Sequence, residues 1–215
     1  MELLATFIDV VLHLDRHLGA FMADYGTWVY ALMFAIIFCE TGLVVAPFLP
    51  GDSLLFVAGT LAAANGLDVG VLFALLASAS ILGDNTNYWI GHHVGPRVFR
   101  SQDSRLFNRA YLERTQGFYA RHGGKTVLLA RFVPIIRTFA PFVAGVGHMR
   151  YPRFLGYSIA GAILWVGLFV FAGYYFGNIP VVRQNLALAM GVIILISIAP
   201  GLITYLRRRL GSPAR

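Results

Sequence analysis

Two stretches of the chain, residues 154–177 and 186–206, run for 24 and 21 positions without a charged side chain. A helix needs about 20 consecutive apolar residues to cross a bilayer, so both are long enough to span a membrane. Charged residues make up only 13% of the 215 residues, against about 25% in soluble domains. This composition excludes a disordered or collagen-like chain, and a single cysteine excludes a disulfide scaffold. The sequence predicts an all-α membrane protein.

Two other segments have apolar arms around a broken, charged centre. In the first, the arms are residues 25–39 and 53–67, and the centre contains Glu40, Pro47, Pro50, Gly51 and Asp52. The second covers residues 126–147, and its centre contains Arg131, Pro134, Arg137 and Pro141. Broken backbone at membrane depth occurs only where it is buried in protein or lines a cavity. Each segment therefore predicts a re-entrant helical hairpin with its break at these residues.

An internal repeat relates the two halves of the chain. The tetrapeptide Phe-Val-Ala-Gly occurs at 56–59 and again at 142–145, an offset of 86 residues. At the same offset, Tyr88 and Gly91 correspond to Tyr174 and Gly177. We therefore expect residues of about 25–95 and 126–177 to form related structures with one hairpin each.

The distribution of charge predicts the topology of these repeats. Residues 1–90 carry a net charge of −7 and residues 91–215 carry +14, with the basic residues flanking apolar segments. This pattern favours cytoplasmic basic loops over a nucleic-acid-binding patch. The loop 96–125 and the tail 207–215 can both lie in the cytoplasm only if residues 126–147 enter the membrane and return to the cytoplasmic side instead of crossing it. One hairpin then enters from each side of the membrane, which is typical of inverted-repeat transporters.

These expectations divide the chain into three parts. Residues 1–24 have apolar side chains at helical spacing and predict an amphipathic interfacial helix. Residues 25–206 form one membrane domain, with about three transmembrane helices, the basic segment 96–125 between the repeats, and 186–206 as the last span. Residues 207–215 are a basic cytoplasmic tail. The side of the membrane on which the N-terminus lies stays open.

Charges inside apolar segments are energetically costly and indicate a functional site. If the hairpin tips meet, Glu40 and Asp52 face the guanidinium groups of Arg131 and Arg137. The planar fork of arginine suits a phosphate, so we expect both arginines to bind an anionic head group and both acids to couple transport to protons. Two buried salt bridges that only hold the hairpins together are the alternative.

Weaker candidates lie beside these four residues. Two polar candidates lie inside residues 69–90. Asp84 is predicted to couple protons and Asn85 to contact substrate, and a capped helix break at these residues is the alternative. Lys125 is predicted to guide anionic lipid, with an interfacial snorkelling lysine as the alternative. The histidines lack metal-ligand spacing, and neither a metal nor another cofactor is expected.

At these residues the sequence resembles the DedA family, also called SNARE-associated or VTT-domain proteins. The likeness covers residues 25–205 and is carried by three motifs: Phe38-x-Glu40 through Leu49-Pro50-Gly51-Asp52-Ser53, Gly83-Asp84-Asn85 with Tyr88-x-Ile90-Gly91, and Arg131-Phe132-x-Pro134-x-x-Arg137. His92 departs from the pattern, because the family often has arginine there. The resemblance implies a helical fold with two opposed re-entrant hairpins, and essential acids and arginines at Glu40, Asp52, Arg131 and Arg137.

The resemblance also implies an inner-membrane transporter tied to the proton-motive force. We therefore expect a lipid translocase of the bacterial inner membrane, not an enzyme, that flips undecaprenyl phosphate or a related anionic phospholipid. The alternative is a proton-coupled exporter or antiporter of small cations that supports envelope homeostasis. The expected partners are the anionic lipid, protons and the membrane, and nucleic acid is not expected. The sequence leaves open whether the protein forms a homo-oligomer.

Overall fold

The described part of the chain is built from helices. A computed structural model describes residues 14–43, 51–98, 124–131, 134–177, 179–180 and 182, and contains no strand within them. The helices are α1 (Leu14–Tyr25), α2 (Trp28–Gly42), α3 (Gly51–Asn65), α4 (Val69–Val98), α5 (Lys125–Ala130), α6 (Pro134–Val146) and α7 (Tyr151–Phe176). The predicted all-α class is confirmed for these residues. The last span, the tail, most of the basic segment and the first half of the interfacial helix lie outside them.

Two helices are long and apolar enough to cross a membrane by length and composition: Val69–Val94 within α4, and α7. The helix α4 begins after Asp68, whose Oδ1 accepts hydrogen bonds from the N–H groups of Gly70 and Val71 at 2.7 and 2.9 Å. This side chain satisfies two N–H groups that the first turn of a helix leaves without a partner. The predicted spans 69–90 and 154–177 therefore correspond to α4 and α7, each extended at one end.

The shorter helices form two pairs, and one helix of each pair packs on the long helix of the other half. The first helix pair is α2 and α3, and the second helix pair is α5 and α6. Helix α3 packs on α7, and α6 packs on α4. A core between α2, α3, α4 and α7 includes the buried side chains of Met33, Leu55, Leu72 and Trp165. A smaller core joins α4, α6 and α7 around Tyr88 and Phe154.

The breaks within the pairs agree only in part with the prolines that predicted them. Pro47 and Pro50 lie outside the described residues, whereas Gly51 begins α3 and Pro134 begins α6. The predicted break at Pro141 is wrong, because α6 continues through it. Proline there lacks the N–H that would bond to the carbonyl of Arg137, but membrane helices tolerate such a loss. The break in the second pair lies between α5 and α6.

Helices α6 and α4 cross with almost no space between their backbones. A Cβ atom at Gly145 would overlap the carbonyl oxygen of Tyr88. A Cβ atom at Gly156 on α7 would have no such neighbour within 4 Å. We expect Gly145→Ala to lower the free energy of unfolding by about 1–3 kcal/mol, as overpacking does. Gly156→Ala serves as the matched control and is expected to gain about 0.5–1 kcal/mol from helix propensity. Thermal unfolding in detergent measures both variants, and equal stabilities would refute this close crossing.

Candidate functional site

Arg137 on α6 is paired with two carboxylates from the first helix pair. Its Nη1 donates to Asp52 Oδ1 on α3, and its Nη2 donates to Glu40 Oε1 on α2. Only 1% of Glu40 and 10% of the Arg137 side chain are exposed. These three residues are called the Arg137 cluster. Because two acids share one guanidinium, the cluster carries a net charge of −1 when all three groups are ionised.

Trp165 on α7 holds two members of the Arg137 cluster. Its Nε1 donates to Asp52 Oδ1 at 2.8 Å, and the guanidinium carbon of Arg137 lies 4.8 Å from the centroid of its ring. Guanidinium groups are attracted to the face of an indole ring at such distances. Sequence reasoning assigned no role to Trp165, because an aromatic residue within an uncharged span gives no signal for a polar contact. A buried indole N–H does need an acceptor, and the site supplies it.

Gly51 makes room for the Arg137 cluster. A Cβ atom at this position would overlap the carboxylate of Glu40. A helix start without a side chain therefore lets a buried acid from α2 reach the first turn of α3. The predicted break residue thus also shapes the site.

Arg131, which follows α5, forms a second cluster with α4 and α7. Its Nη2 donates to Asp84 Oδ2 and its Nη1 donates to Ser80 Oγ at 2.8 Å. Ser158 Oγ in turn donates to Asp84 Oδ2 at 2.6 Å. These residues are called the Arg131 cluster. Its one acid and one arginine sum to zero charge, so this cluster is neutral where the Arg137 cluster is not.

The pairing of acids with arginines differs from the expected one. Two acids were expected to face two arginines, but Glu40 and Asp52 both bind Arg137, while Arg131 binds Asp84 on α4. Packing explains the difference, since Arg131 lies against Gly161 of α7. A Cβ atom there would lie 2.7 Å from both Cδ and Nε of Arg131. The missing side chain at Gly161 admits Arg131 between α7 and α4.

Asn85, another predicted substrate contact, makes its hydrogen bonds outside the two clusters. Asn85 Nδ2 donates to the carbonyl of Ile81, and its Oδ1 accepts from Tyr151 Oη at 2.8 Å. The side chain of Lys125 lies outside the described residues, and only its place at the start of α5 is known. The sequence predicted that Asn87 lines a cavity or contacts a cation, with a capped helix break as the alternative. In the structure its Nδ2 donates to the carbonyls of Thr41 and Thr138 and joins α4 to both helix pairs.

A cavity of about 10 Å³ lies between the two clusters. It is lined by Glu40, Arg137, Asp84 and Arg131, together with Thr41, Thr138 and Trp165. A cavity of this size is just large enough to hold one water molecule. Nε of Arg131 is buried and makes no hydrogen bond to the rest of the described chain. In the described ranges, no group of three His, Cys, Asp or Glu side chains is arranged to hold a metal ion.

Comparisons with known proteins place the site in a recognised domain. Residues 49–175 match the VTT domain, and they include every residue of both clusters except Glu40. The chain is 55% identical to Protein DedA of Escherichia coli K12 over 97% of its own length and 96% of that protein. It is 43% identical to membrane protein Rv0364 of Mycobacterium tuberculosis (85% and 81%) and 32% identical to inner membrane protein YghB of E. coli K12 (91% and 90%). No solved structure matches the chain.

Proposed function

We propose that this chain, which belongs to the DedA family of VTT-domain membrane proteins, translocates an anionic lipid phosphate across the bacterial inner membrane. The observation that carries the proposal is the sharing of one buried guanidinium by two carboxylates. The relative YghB is named as an inner membrane protein, which supports the proposed location in the inner membrane. The lipid class follows from the chemistry of arginine, and undecaprenyl phosphate or a related phospholipid follows from the family resemblance.

Arg137 is proposed as the ligand of the lipid phosphate. Its two terminal nitrogens donate to oxygens of two different side chains. A phosphate presents two oxygens to an arginine fork in the same way, so it can replace both carboxylates at once. Glu40 and Asp52 then act as internal substitutes for the phosphate while the site waits for lipid.

The charge of the Arg137 cluster links lipid binding to protons. A phosphate that approaches two ionised carboxylates meets a net charge of −1 in surroundings of low dielectric, where repulsion is strong. When Glu40 and Asp52 each take up a proton, the net charge becomes +1 and favours the anion. Lipid and protons therefore occupy the cluster together. Asp84, across the cavity, is proposed as the next proton acceptor on the path.

Arg131 is proposed as an anchor of the second helix pair. Asp84 neutralises its charge, and Ser80 occupies a further N–H group of its guanidinium. A phosphate at Arg131 would have to displace Asp84, whose single negative charge already balances the charge of this arginine. Lys125 and Asn85 remain proposed contacts for the lipid head group on its way to the site.

The two helix pairs are proposed as re-entrant hairpins that enter from opposite sides, with a cytoplasmic C-terminus. Helices α2 and α3 have 15 residues each and α6 has 13, which is too short to cross a bilayer. One helix of each pair, α3 or α6, packs on the long helix of the other half, which supports an inverted repeat. The Arg137 cluster then lies where both hairpins meet.

Transport between leaflets tests the proposal. Purified protein in liposomes is expected to move a fluorescent polyprenyl phosphate between leaflets, and an imposed pH gradient is expected to accelerate it at least several-fold. Glu40→Gln should lose the response to the gradient, because the amide cannot exchange a proton. Asp68→Asn, which changes an acid outside the cluster and keeps the helix cap, serves as the matched control. An unchanged response in Glu40→Gln would contradict proton coupling at this residue.

The negative charge of the Arg137 cluster also favours a second candidate. Two acids, Glu40 and Asp84, line a cavity of water size, which suits a proton-coupled exporter or antiporter of small cations. The same liposomes, loaded with a cation-sensitive dye, separate the two functions. Cation movement that continues in Arg137→Ala, without lipid movement in the wild type, would support the exporter.

A further inference from the structure

Two hydrogen-bond donors converge on one oxygen of the Arg137 cluster. Oδ1 of Asp52 accepts from Nη1 of Arg137, and it also accepts from Nε1 of Trp165 at 2.8 Å. Nη2 of Arg137 donates to Oε1 of Glu40. Three N–H groups from α6 and α7 therefore point at two carboxylate oxygens, and the indole supplies one of the three.

The indole of Trp165 is fixed in place by its own packing. Only 2% of Trp165 is exposed, and its ring belongs to the core between α2, α3, α4 and α7. The ring of Phe169, one turn further along α7, meets it edge to face with centroids 6.4 Å apart. The guanidinium carbon of Arg137 lies 4.8 Å from the centroid of the indole ring. The scaffold therefore sets the positions of the indole N–H and of the guanidinium fork, whichever group accepts from them.

A ligand that takes Nη1 of Arg137 from Asp52 must also take the indole N–H. The N–H groups of a guanidinium have fixed directions in its plane, so an incoming oxygen has to occupy nearly the place of Asp52 Oδ1. That place lies within hydrogen-bond distance of Trp165 Nε1, and two oxygens cannot share it. An indole N–H can only donate, and a buried donor that is left without an acceptor costs free energy. The incoming oxygen therefore accepts the hydrogen bond of Trp165 as well.

We propose that Trp165 is a second ligand of the lipid phosphate, and that its indole N–H donates to the same phosphate oxygen that Nη1 of Arg137 binds. A second phosphate oxygen accepts from Nη2 in the place of Glu40 Oε1. This assignment rests on the proposed function, since it takes binding of the phosphate at Arg137 as given. It requires a ligand with two terminal oxygens on one atom, one of which accepts two hydrogen bonds, and a phosphate meets this requirement.

The indole also favours a phosphate over a protonated carboxyl group. Hydrogen bonds to an ionised acceptor are about twice as strong as those between neutral groups. While Asp52 is ionised, it is a charged acceptor for Trp165, but once Asp52 has taken up a proton, the phosphate is the better acceptor. Because the indole is itself neutral, it adds this preference without changing the net charge of the cluster.

Affinity for a phosphate in a chain that lacks the carboxylate of Asp52 isolates the contribution of the indole. In Asp52→Ala, Glu40 still balances the charge of Arg137, and Trp165 has lost its carboxylate acceptor. The full chain in lipid nanodiscs is titrated with farnesyl phosphate by calorimetry, with farnesol as the phosphate-free probe. Trp165→Phe keeps an aromatic ring beside Arg137, and in this background it is expected to weaken binding about tenfold or more, as loss of a hydrogen bond to a charged group does. Trp28→Phe, which changes an exposed tryptophan outside the site, serves as the matched control and should leave the affinity unchanged.

The outcomes separate this assignment from the proposed function. Equal affinities of Asp52→Ala with and without Trp165→Phe would overturn the role of the indole and leave Arg137 as the phosphate ligand. If Asp52→Ala binds farnesyl phosphate no better than farnesol, the proposed function is contradicted, and this assignment with it.

The indole proton–nitrogen resonance of Trp165 gives a second measurement that leaves every residue of the site in place. The chain has three tryptophans, so Trp28→Phe and Trp89→Phe together leave Trp165 as the source of the signal. Farnesyl phosphate, at concentrations where calorimetry shows binding, is expected to shift this resonance within the range of hydrogen-bonded indoles, and farnesol is not. A resonance that does not move, or that moves to the range of indoles without an acceptor, would overturn the proposal.

Discussion

Replacement of Arg137 with alanine is expected to abolish transport of lipid phosphate and to lower the free energy of unfolding by about 3–5 kcal/mol. The variant leaves Glu40 and Asp52 in a buried site without their cation, and loss of one partner from a buried ion pair has effects of this size. Transport is measured in liposomes and stability by thermal unfolding in detergent. Arg137→Lys keeps the charge but loses the fork, so it should recover stability better than transport.

A neutral version of the cluster separates stability from transport. In the triple variant Arg137→Gln, Glu40→Gln, Asp52→Asn, no charge remains unpaired, so most of the lost stability is expected to return. Transport should stay absent, because neither a phosphate ligand nor a proton acceptor is left in the cluster. A triple variant that transports as fast as the wild type would make these residues structural ion pairs only.

Replacement of Arg131 with alanine is also expected to destabilise the protein by about 3–5 kcal/mol, because Asp84 would stay buried without its partner. The double variant Arg131→Met, Asp84→Leu replaces the pair with apolar side chains of similar size. Such replacements of buried ion pairs are often neutral or stabilising, so the double variant should unfold close to the wild type. Thermal unfolding of the single and double variants measures the difference.

The same double variant distinguishes an anchor from a lipid ligand. Because the double variant also removes Asp84, the proposed proton acceptor, it is compared with the wild type without a pH gradient. If Arg131 only anchors the second helix pair, the folded double variant should move the lipid down its own gradient at no less than a tenth of the wild-type rate and lose only the acceleration by a pH gradient. A stable double variant without any such movement would contradict the anchor and favour the role in head-group binding that the sequence predicted for Arg131.

The charged residues of the site were predictable from the sequence, but their pairing was not. Glu40, Asp52, Asp84, Arg131 and Arg137 are conspicuous because they interrupt apolar segments, where a charge is costly. Which acid meets which arginine depends on the helix faces that come together, as the position of Arg131 against Gly161 shows. Uncharged partners such as Ser80, Ser158 and Trp165 give no such signal in an apolar span.

The same distinction holds for the fold. Length and hydropathy located the long helices α4 and α7, and the repeat predicted that Gly59 and Gly145 have equivalent roles. The register of the long helices was not predictable, because the spacing from Phe-Val-Ala-Gly to Tyr-x-x-Gly is identical in both halves. In the structure Gly145 lies against Tyr88 and Gly59 lies against Val170, so the long helices are related by 82 residues and not by 86. The break predicted at Pro141 was wrong, because proline marks a break in water-soluble helices more reliably than in membrane helices.

Movement of polyprenyl phosphate between leaflets, compared in the wild type and the triple neutral variant, tests the central role of the Arg137 cluster most directly. Both proteins are reconstituted at equal density, with folded protein verified by thermal unfolding. The proposed site predicts rapid movement that a pH gradient accelerates in the wild type, and no movement above protein-free liposomes in the triple variant. Equal rates in the two proteins would contradict it.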